Sequence, residues 1–248
     1  MKAIIIAAGS ANRLGKLVKE KSKGLLDING KTILDRQISL FKKNGINEII
    51  IITGPNKNFG IENVSYINDT NYEQHDVLGS LMVAKDEIKG KILTSYSDIL
   101  FEESILHQLL EFSGDIGIPV DLDWEKSYES RTEHPKSEAD NVLIKNEKII
   151  QIQKQIEKKD DGDVIGEFLG PMIFSERGSK IFVENYLKLE QTNQGSFHKA
   201  HSLKKAYTTD MLQELIDLEY DVKPIIINGK WCEVDTQQDL ERARKLFR

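Results

Sequence analysis

The sequence predicts an α/β fold, a Rossmann-like, doubly wound sheet that is mixed but mostly parallel, and three observations predict it. Short runs rich in β-branched residues recur along the chain. Segments with helical spacing of apolar residues lie between the early runs, and that alternation implies crossover units with parallel pairing. The first run, Ala3 to Ala8, breaks at Gly9 into a small polar loop, and open α/β sheets take ligands just beyond the carboxyl end of such a strand.

Taken in order, strands are expected at Lys2–Ala7, Glu48–Thr53, Lys91–Ser95, Ile116–Val120 and Val222–Ile227, and helices at Thr32–Lys43, Leu78–Ile88 and Glu103–Phe112. From Asp121 to Asp163 the chain is charged and holds two short strand-like pieces, Asn141–Lys145 and Lys148–Gln153. Residues 121–163 are therefore expected to leave the sheet as an insert within a single domain spanning 1–248. The insert would supply part of a binding site, with a solvated hairpin as the alternative. The last helix, Thr236–Phe247, has Thr236 as N-cap and cations in its final turns, which suits the helix dipole.

Composition narrows the function classes. At 248 residues with 39% hydrophobic and 30% charged side chains, the chain can bury a full core. A net charge of -6 argues against a general nucleic-acid binder, which needs a basic face to displace counterions. One cysteine, Cys232, excludes an intrachain disulfide and a cysteine-rich zinc site, so a reducing cytoplasm is the expected home. No apolar run is long enough to span a bilayer, and no membrane partner is expected. The five histidines show no metal-ligand spacing, although His134 lies within the insert.

The loop after the first strand reads AAGSANRLGK. A Walker A loop needs four residues between its glycines and then Lys-Ser/Thr, whereas five separate Gly9 from Gly15 here and Leu17 follows Lys16. The dinucleotide fingerprint fails as well, because Ala11 stands where its second glycine belongs. What is left is a strand, a glycine and a cluster of cations: Arg13, Lys16, Lys19, Lys21 and Lys23. Two aspartates, Asp98 and Asp235, end strand-like runs. If both runs belong to the parallel sheet, the carboxylates flank that loop and can hold Mg²⁺, which favours a few carboxylates together with phosphate oxygens. A turn residue for Asp98 and a helix cap for Asp235 are the alternatives.

These residues, together with Ser22–Asp35, the run ending in Asp98 and TrpCysGluValAsp at 231–235, resemble the sugar-nucleotidyltransferase-like superfamily of nucleotide-diphospho-sugar transferase fold. The sequence departs at Ala11, where the family has glycine, and at Ser22, where it has proline. Its shorter members, which activate phosphocholine, phosphonates or phosphoamino compounds with CTP, resemble it best. Asp123–Asp140 looks like the insert of the phosphonate type, and the resemblance to the shorter members implies that the C-terminal left-handed β-helix of the longer sugar-phosphate members is not expected.

The resemblance implies a cytidylyltransferase that transfers CMP from CTP to a small phosphonate or phosphorylated amino compound. It implies Arg13 on the departing phosphates and Lys23 on the α-phosphate. Mg²⁺ would sit on Asp98 and Asp235. Ala7, Ala8, Gly9, Ser10, Ala11 and Asn12 would carry the nucleotide with Leu78, Gly79 and Ser80, a helix cap being the alternative for Ser80. Acceptor ligands are expected among Trp124, Tyr128, Arg131, Lys136, Lys154 and Asp210, with surface charge, core packing and, for Asp210, a helix N-terminal role as the alternatives. A sugar-1-phosphate enzyme using UTP, dTTP or GTP and an inactive nucleotide-binding relative remain open, as does the oligomeric state, a homodimer included.

Overall fold

The central strand is β1, Lys2–Ala7, whose six residues are all buried because both faces of the sheet are covered. The computed structural model describes residues 1–9, 14, 22–55, 58–158 and 160–248. After β1 come the short pair β2 (Asp27–Ile28) and β3 (Lys31–Thr32), then α1 (Ile33–Lys43), β4 (Glu48–Thr53), β5 (Ser65–Asn68) and α2 (Val77–Met82). β6 (Ile92–Tyr96), β7 (Ile99–Phe101), α3 (Glu103–Leu110) and β8 (Ile116–Asp121) follow. Next are β9 (Asp140–Lys145), β10 (Lys148–Lys154), β11 (Val164–Phe168), β12 (Met172–Phe174) and α4 (Glu176–Thr192). α5 (Thr208–Asp217), β13 (Val222–Ile226), β14 (Trp231–Glu233) and α6 (Gln237–Leu246) complete the chain.

The main sheet runs β5, β4, β1, β6, β12, β8, β11, β9, β10, with β13 pairing with β8. β4 and β6 flank β1 in parallel, while β12 is antiparallel to both β6 and β8. The sheet is therefore mixed and mostly parallel at its centre. Alternation along β1 divides the core. Ala3, Ile5 and Ala7 meet Leu34, Ile38 and Phe41 of α1. Ile4 and Ile6 share the opposite face with Leu78 and Leu81 of α2 and Phe182 of α4.

Three departures from the sequence reading matter. The insert does not leave the sheet: β9 and β10 extend it through β11, because Val142, Ile144, Ile149 and Ile152 bury into the same core. The helix expected at Leu78–Ile88 stops at Met82, and a tighter turn at Lys85–Glu87 brings Ile88 into the core. Helix α4 was not legible, since Gly178 interrupts its first turn, where glycine weakens helix propensity.

That glycine is required by contact. A Cβ at Gly178 would lie 1.9 Å from the carbonyl oxygen of Asp115, a backbone atom that cannot move aside cheaply. Gly178→Ala is expected to lower the melting temperature despite alanine's better helix propensity. Overpacking costs about 1–3 kcal/mol, against about 1 kcal/mol of propensity gained. An unchanged or higher Tm in calorimetry contradicts this.

Candidate active site

A cleft of about 420 Å³ opens where β1 and β6 end. Gly9 follows β1 and lines it, as do Ser97 and Asp98 after β6. The Ser97 amide donates to the Ile6 carbonyl at 3.0 Å, so the two strand ends leave the sheet side by side. Lys23 enters on a tight turn, Lys23–Leu25. A Cβ on its neighbour Gly24 would lie 2.7 Å from Leu34, so the turn presses against α1 in a way only glycine allows. Ser22, in the position the family gives to proline, has φ -64°, the value a proline ring imposes.

Asp235 reaches the cleft by a different route from the one expected. β14 is not in the main sheet; it pairs antiparallel with β7, Glu233 opposite Ile99. Because β7 begins directly after Asp98, this ribbon returns the chain to the same point, and the Val234 amide donates to the Asp98 carbonyl at 2.9 Å. Beneath the ribbon, Leu26, Ile28, Leu100, Cys232, Val234 and Leu240 form a small separate core. Burial pushes the Cys232 thiol up to about 12, which leaves it an inert packing group.

The two carboxylates converge on one cation. Lys23 Nζ donates to Asp98 Oδ2 at 2.8 Å and also to Asp235 Oδ1. Burial alone would lower the Lys23 pKa, but the Asp98 and Asp235 charges outweigh it and hold the ammonium well above its usual range. Glu233 lies beside them, and burial with the Asp235 and Asp98 charges drives its carboxyl upward. Ligand atoms of His134, Glu233 and Asp235 lie within 4.8 Å of one another. Glu233 was not expected from the sequence, although its position two residues before Asp235 was a usable signal.

Glu138, Asp140, Lys154, Tyr207 and Tyr96 also line the cleft. Asp140 and Lys154 are cross-strand partners of β9 and β10, and Lys154 Nζ donates to Glu138 Oε2 at 2.7 Å. Burial pushes the Asp140 carboxyl up to about 6, against the pull of Lys154 and with help from Asp210 and Glu138. Tyr96, hydrogen-bonded to Thr208, closes the wall.

Of the other expected site residues, Ser10, Ala11, Asn12 and Arg13 lie outside the described residues. Ala7 and Ala8 are buried in the core below Gly9 and do not line the cleft. Leu78, Gly79 and Ser80 do not line it either. Leu78 is in the core, Gly79 packs against the Lys204 carbonyl, and Ser80 Oγ donates to Asp69 Oδ2 at 2.8 Å, so Val77 is the residue of this helix that meets the cleft.

The insert corrects most of the acceptor assignment. Trp124 is buried with its indole donating to the Ile165 carbonyl at 3.2 Å. Tyr128 donates to Glu167 at 2.5 Å, and burial raises that carboxyl to about 8. Arg131 is paired with Asp239 at 2.6 Å. Lys136 lies over the Trp124 ring at 4.9 Å, and both line a separate outer groove. The polar tips of Trp124, Tyr128 and Lys136 are engaged away from the cleft, and Arg131 lies behind Glu233 without lining it, which leaves Lys154 as the member of this set that does. Asp210 caps α5, accepting the Tyr207 amide at 2.8 Å, as the helix alternative required. Trp231 donates to Asp121 at 2.8 Å and packs in the core.

Residues 3–128 match the model of the MobA-like NTP transferase domain. Over 256 aligned residues, the chain is 29% identical to a CTP:phosphoglutamine cytidylyltransferase of Campylobacter jejuni, covering 97% of this chain and 98% of that one. An inositol-1-phosphate CTP transferase structure from T. maritima superposes with TM-score 0.74 at 18% identity, over 99% of this chain and 94% of that one. A CTP:phosphocholine cytidylyltransferase from Streptococcus pneumoniae gives TM-score 0.71 at 19% identity, over 100% and 99%. At such identities the superpositions establish the fold. Among the described residues, no helix is long and apolar enough to cross a membrane.

Proposed function

The chain belongs to the MobA-like NTP transferase family, and from that premise we propose that it transfers CMP from CTP to a small phosphorylated or phosphonate amino compound. The observation that carries the reading is the convergence of Asp98 and Asp235 on Lys23 beside Gly9. An acceptor oxygen would attack the α-phosphorus, its bond to the bridging oxygen would break, and pyrophosphate would leave with that oxygen. A phosphate or phosphonate oxyanion is already largely ionised near neutral pH, so no general base is needed. Catalysis then reduces to positioning and charge neutralisation.

Charge dictates what else is required. Among the described residues lining the cleft, Asp98, Glu138, Asp140, Glu233 and Asp235 outnumber Lys23 and Lys154. A triphosphate entering that field needs added cations. The donor set fits a hard divalent cation, since Asp98 and Asp235 offer carboxylate oxygens that already share one positive charge. Mg²⁺ held by these two residues would supply charge neutralisation on the phosphates. Lys23 would turn to the α-phosphate, and Arg13 would hold the departing β- and γ-phosphates. Asp140 and Glu138, with the Tyr207 ring, suit the ammonium of an amino acceptor.

Pyrophosphate release tests this. The protein is mixed with Mg²⁺, each of CTP, UTP, dTTP and GTP, and a panel of acceptors. CTP with phosphocholine, 2-aminoethylphosphonate or a phosphorylated amino acid derivative is expected to react. Turnover with glucose 1-phosphate and UTP or dTTP, and none with the amino acceptors, overturns the proposal.

A further inference from the structure

Arg131 and Asp239 join the insert to the end of β14. Asp239 lies in the first turn of α6, where its Oδ2 accepts the Asp235 amide at 3.2 Å, the Thr236 amide at 3.0 Å and the Thr236 hydroxyl at 2.9 Å. One carboxylate oxygen thus caps the helix and holds the backbone of Asp235. The other oxygen, Oδ1, accepts Arg131 Nε at 2.6 Å. Both side chains are buried, at 4% and 0% exposure.

Capping of α6 would be satisfied by a neutral side chain such as asparagine, so the helix alone does not explain a buried arginine from a distant segment. Removing two charged groups from water is costly unless their geometry is tight. The second guanidinium nitrogen supplies the clue. Arg131 Nη2 is buried without a hydrogen bond to a described residue, and it lies 3.8 Å from Glu233 Oε2. A buried guanidinium donor left in this way is expensive. It points at the wall of the cleft, with the Tyr128 ring stacked on the guanidinium at 4.9 Å.

We propose that Arg131 is a positioning residue, setting Asp235 through Asp239 and Glu233 directly, so that the acidic groups at the end of β14 are oriented by the insert. The fork geometry is what the position requires: Nε serves Asp239 while Nη2 faces Glu233, and a lysine ammonium cannot keep both directions. The kinetic part of the proposal rests on reading Asp235 as a metal ligand. The geometric part does not.

The test compares wild type with Arg131→Lys, which keeps the charge, and Asp239→Asn, which keeps an acceptor for the capping amides. Mn²⁺ binding to each protein is measured by electron paramagnetic resonance, and the Mg²⁺ concentration for half-maximal pyrophosphate release by kinetics. Loss of a residue that orients a ligand typically weakens metal binding or activity about 10- to 100-fold. Both variants are expected to raise the Mn²⁺ dissociation constant and the Mg²⁺ requirement by that factor, with the acceptor KM unchanged. A lower melting temperature with an unchanged metal requirement would reduce Arg131 to a structural role and overturn the proposal. A raised acceptor KM with unchanged metal dependence would make it an acceptor ligand and overturn it equally. If no acceptor is turned over, the proposed function fails while the Mn²⁺ measurement still decides the positioning role.

Discussion

Replacement of Asp98 or Asp235 by alanine is expected to lower nucleotidyl transfer by a hundredfold to a thousandfold or more, the scale on which removal of one preorganised charge-stabilising group acts (about 10²–10³ in kcat). The folded state should survive either change, because Lys23 is bound to both carboxylates and keeps one partner when the other is lost. Retained circular dichroism with lost pyrophosphate release would therefore separate chemistry from folding. Lys23→Met should behave differently. It leaves two facing carboxylates without their cation, so stability and turnover fall together, and added Mg²⁺ recovers stability first. Full turnover in either aspartate variant would remove the metal assignment.

The sequence made the centre of this site legible because its residues lie at strand ends or within the first turns of the chain. β1 and β4 were read to the residue, since a strand covered on both faces is a continuous apolar run between polar breaks. Lys23, Asp98 and Asp235 stand together as expected, but the path of Asp235 was not readable. A two-stranded ribbon of three residues each, β7 with β14, carries no periodicity to detect.

The insert failed for a physical reason. Trp124, Tyr128 and Arg131 have the chemistry of ligand contacts, and the same chemistry satisfies buried partners when Ile165, Glu167 and Asp239 happen to face them. Residue type cannot distinguish these outcomes, because the partners are 41, 39 and 108 positions away. Two further carboxylates that line the cleft, Glu138 and Asp140, were passed over because a charged residue in a polar segment usually belongs to the solvated surface.

Asp140→Asn is expected to erase the preference for acceptors that carry an ammonium. Asp140 opens β9, half-buried, and faces the cleft. Around it are Lys154 of β10, Asp210 of α5 and Glu138 of the preceding turn. Lys154 is already engaged by Glu138, and its ammonium lies 5.9 Å from the Tyr207 ring centroid, which marks that ring as a face a cation can occupy. A matched pair, 2-aminoethylphosphonate and ethylphosphonate, isolates the ammonium. A hydrogen bond to a charged group contributes about 1.5–3 kcal/mol. Wild type should therefore favour the amine by one to two orders of magnitude in kcat/KM, and Asp140→Asn should accept both alike. The pH dependence follows in sign. The Asp140 carboxyl is pushed up to about 6, so it takes up its proton as pH falls through that value. Below it, the acceptor KM for the amine should rise more steeply in wild type than in the variant, which keeps only the rise caused by protonation of the acceptor's own phosphonate. A preference that survives Asp140→Asn, or a wild type that treats the two phosphonates equally, would assign acceptor choice to another group.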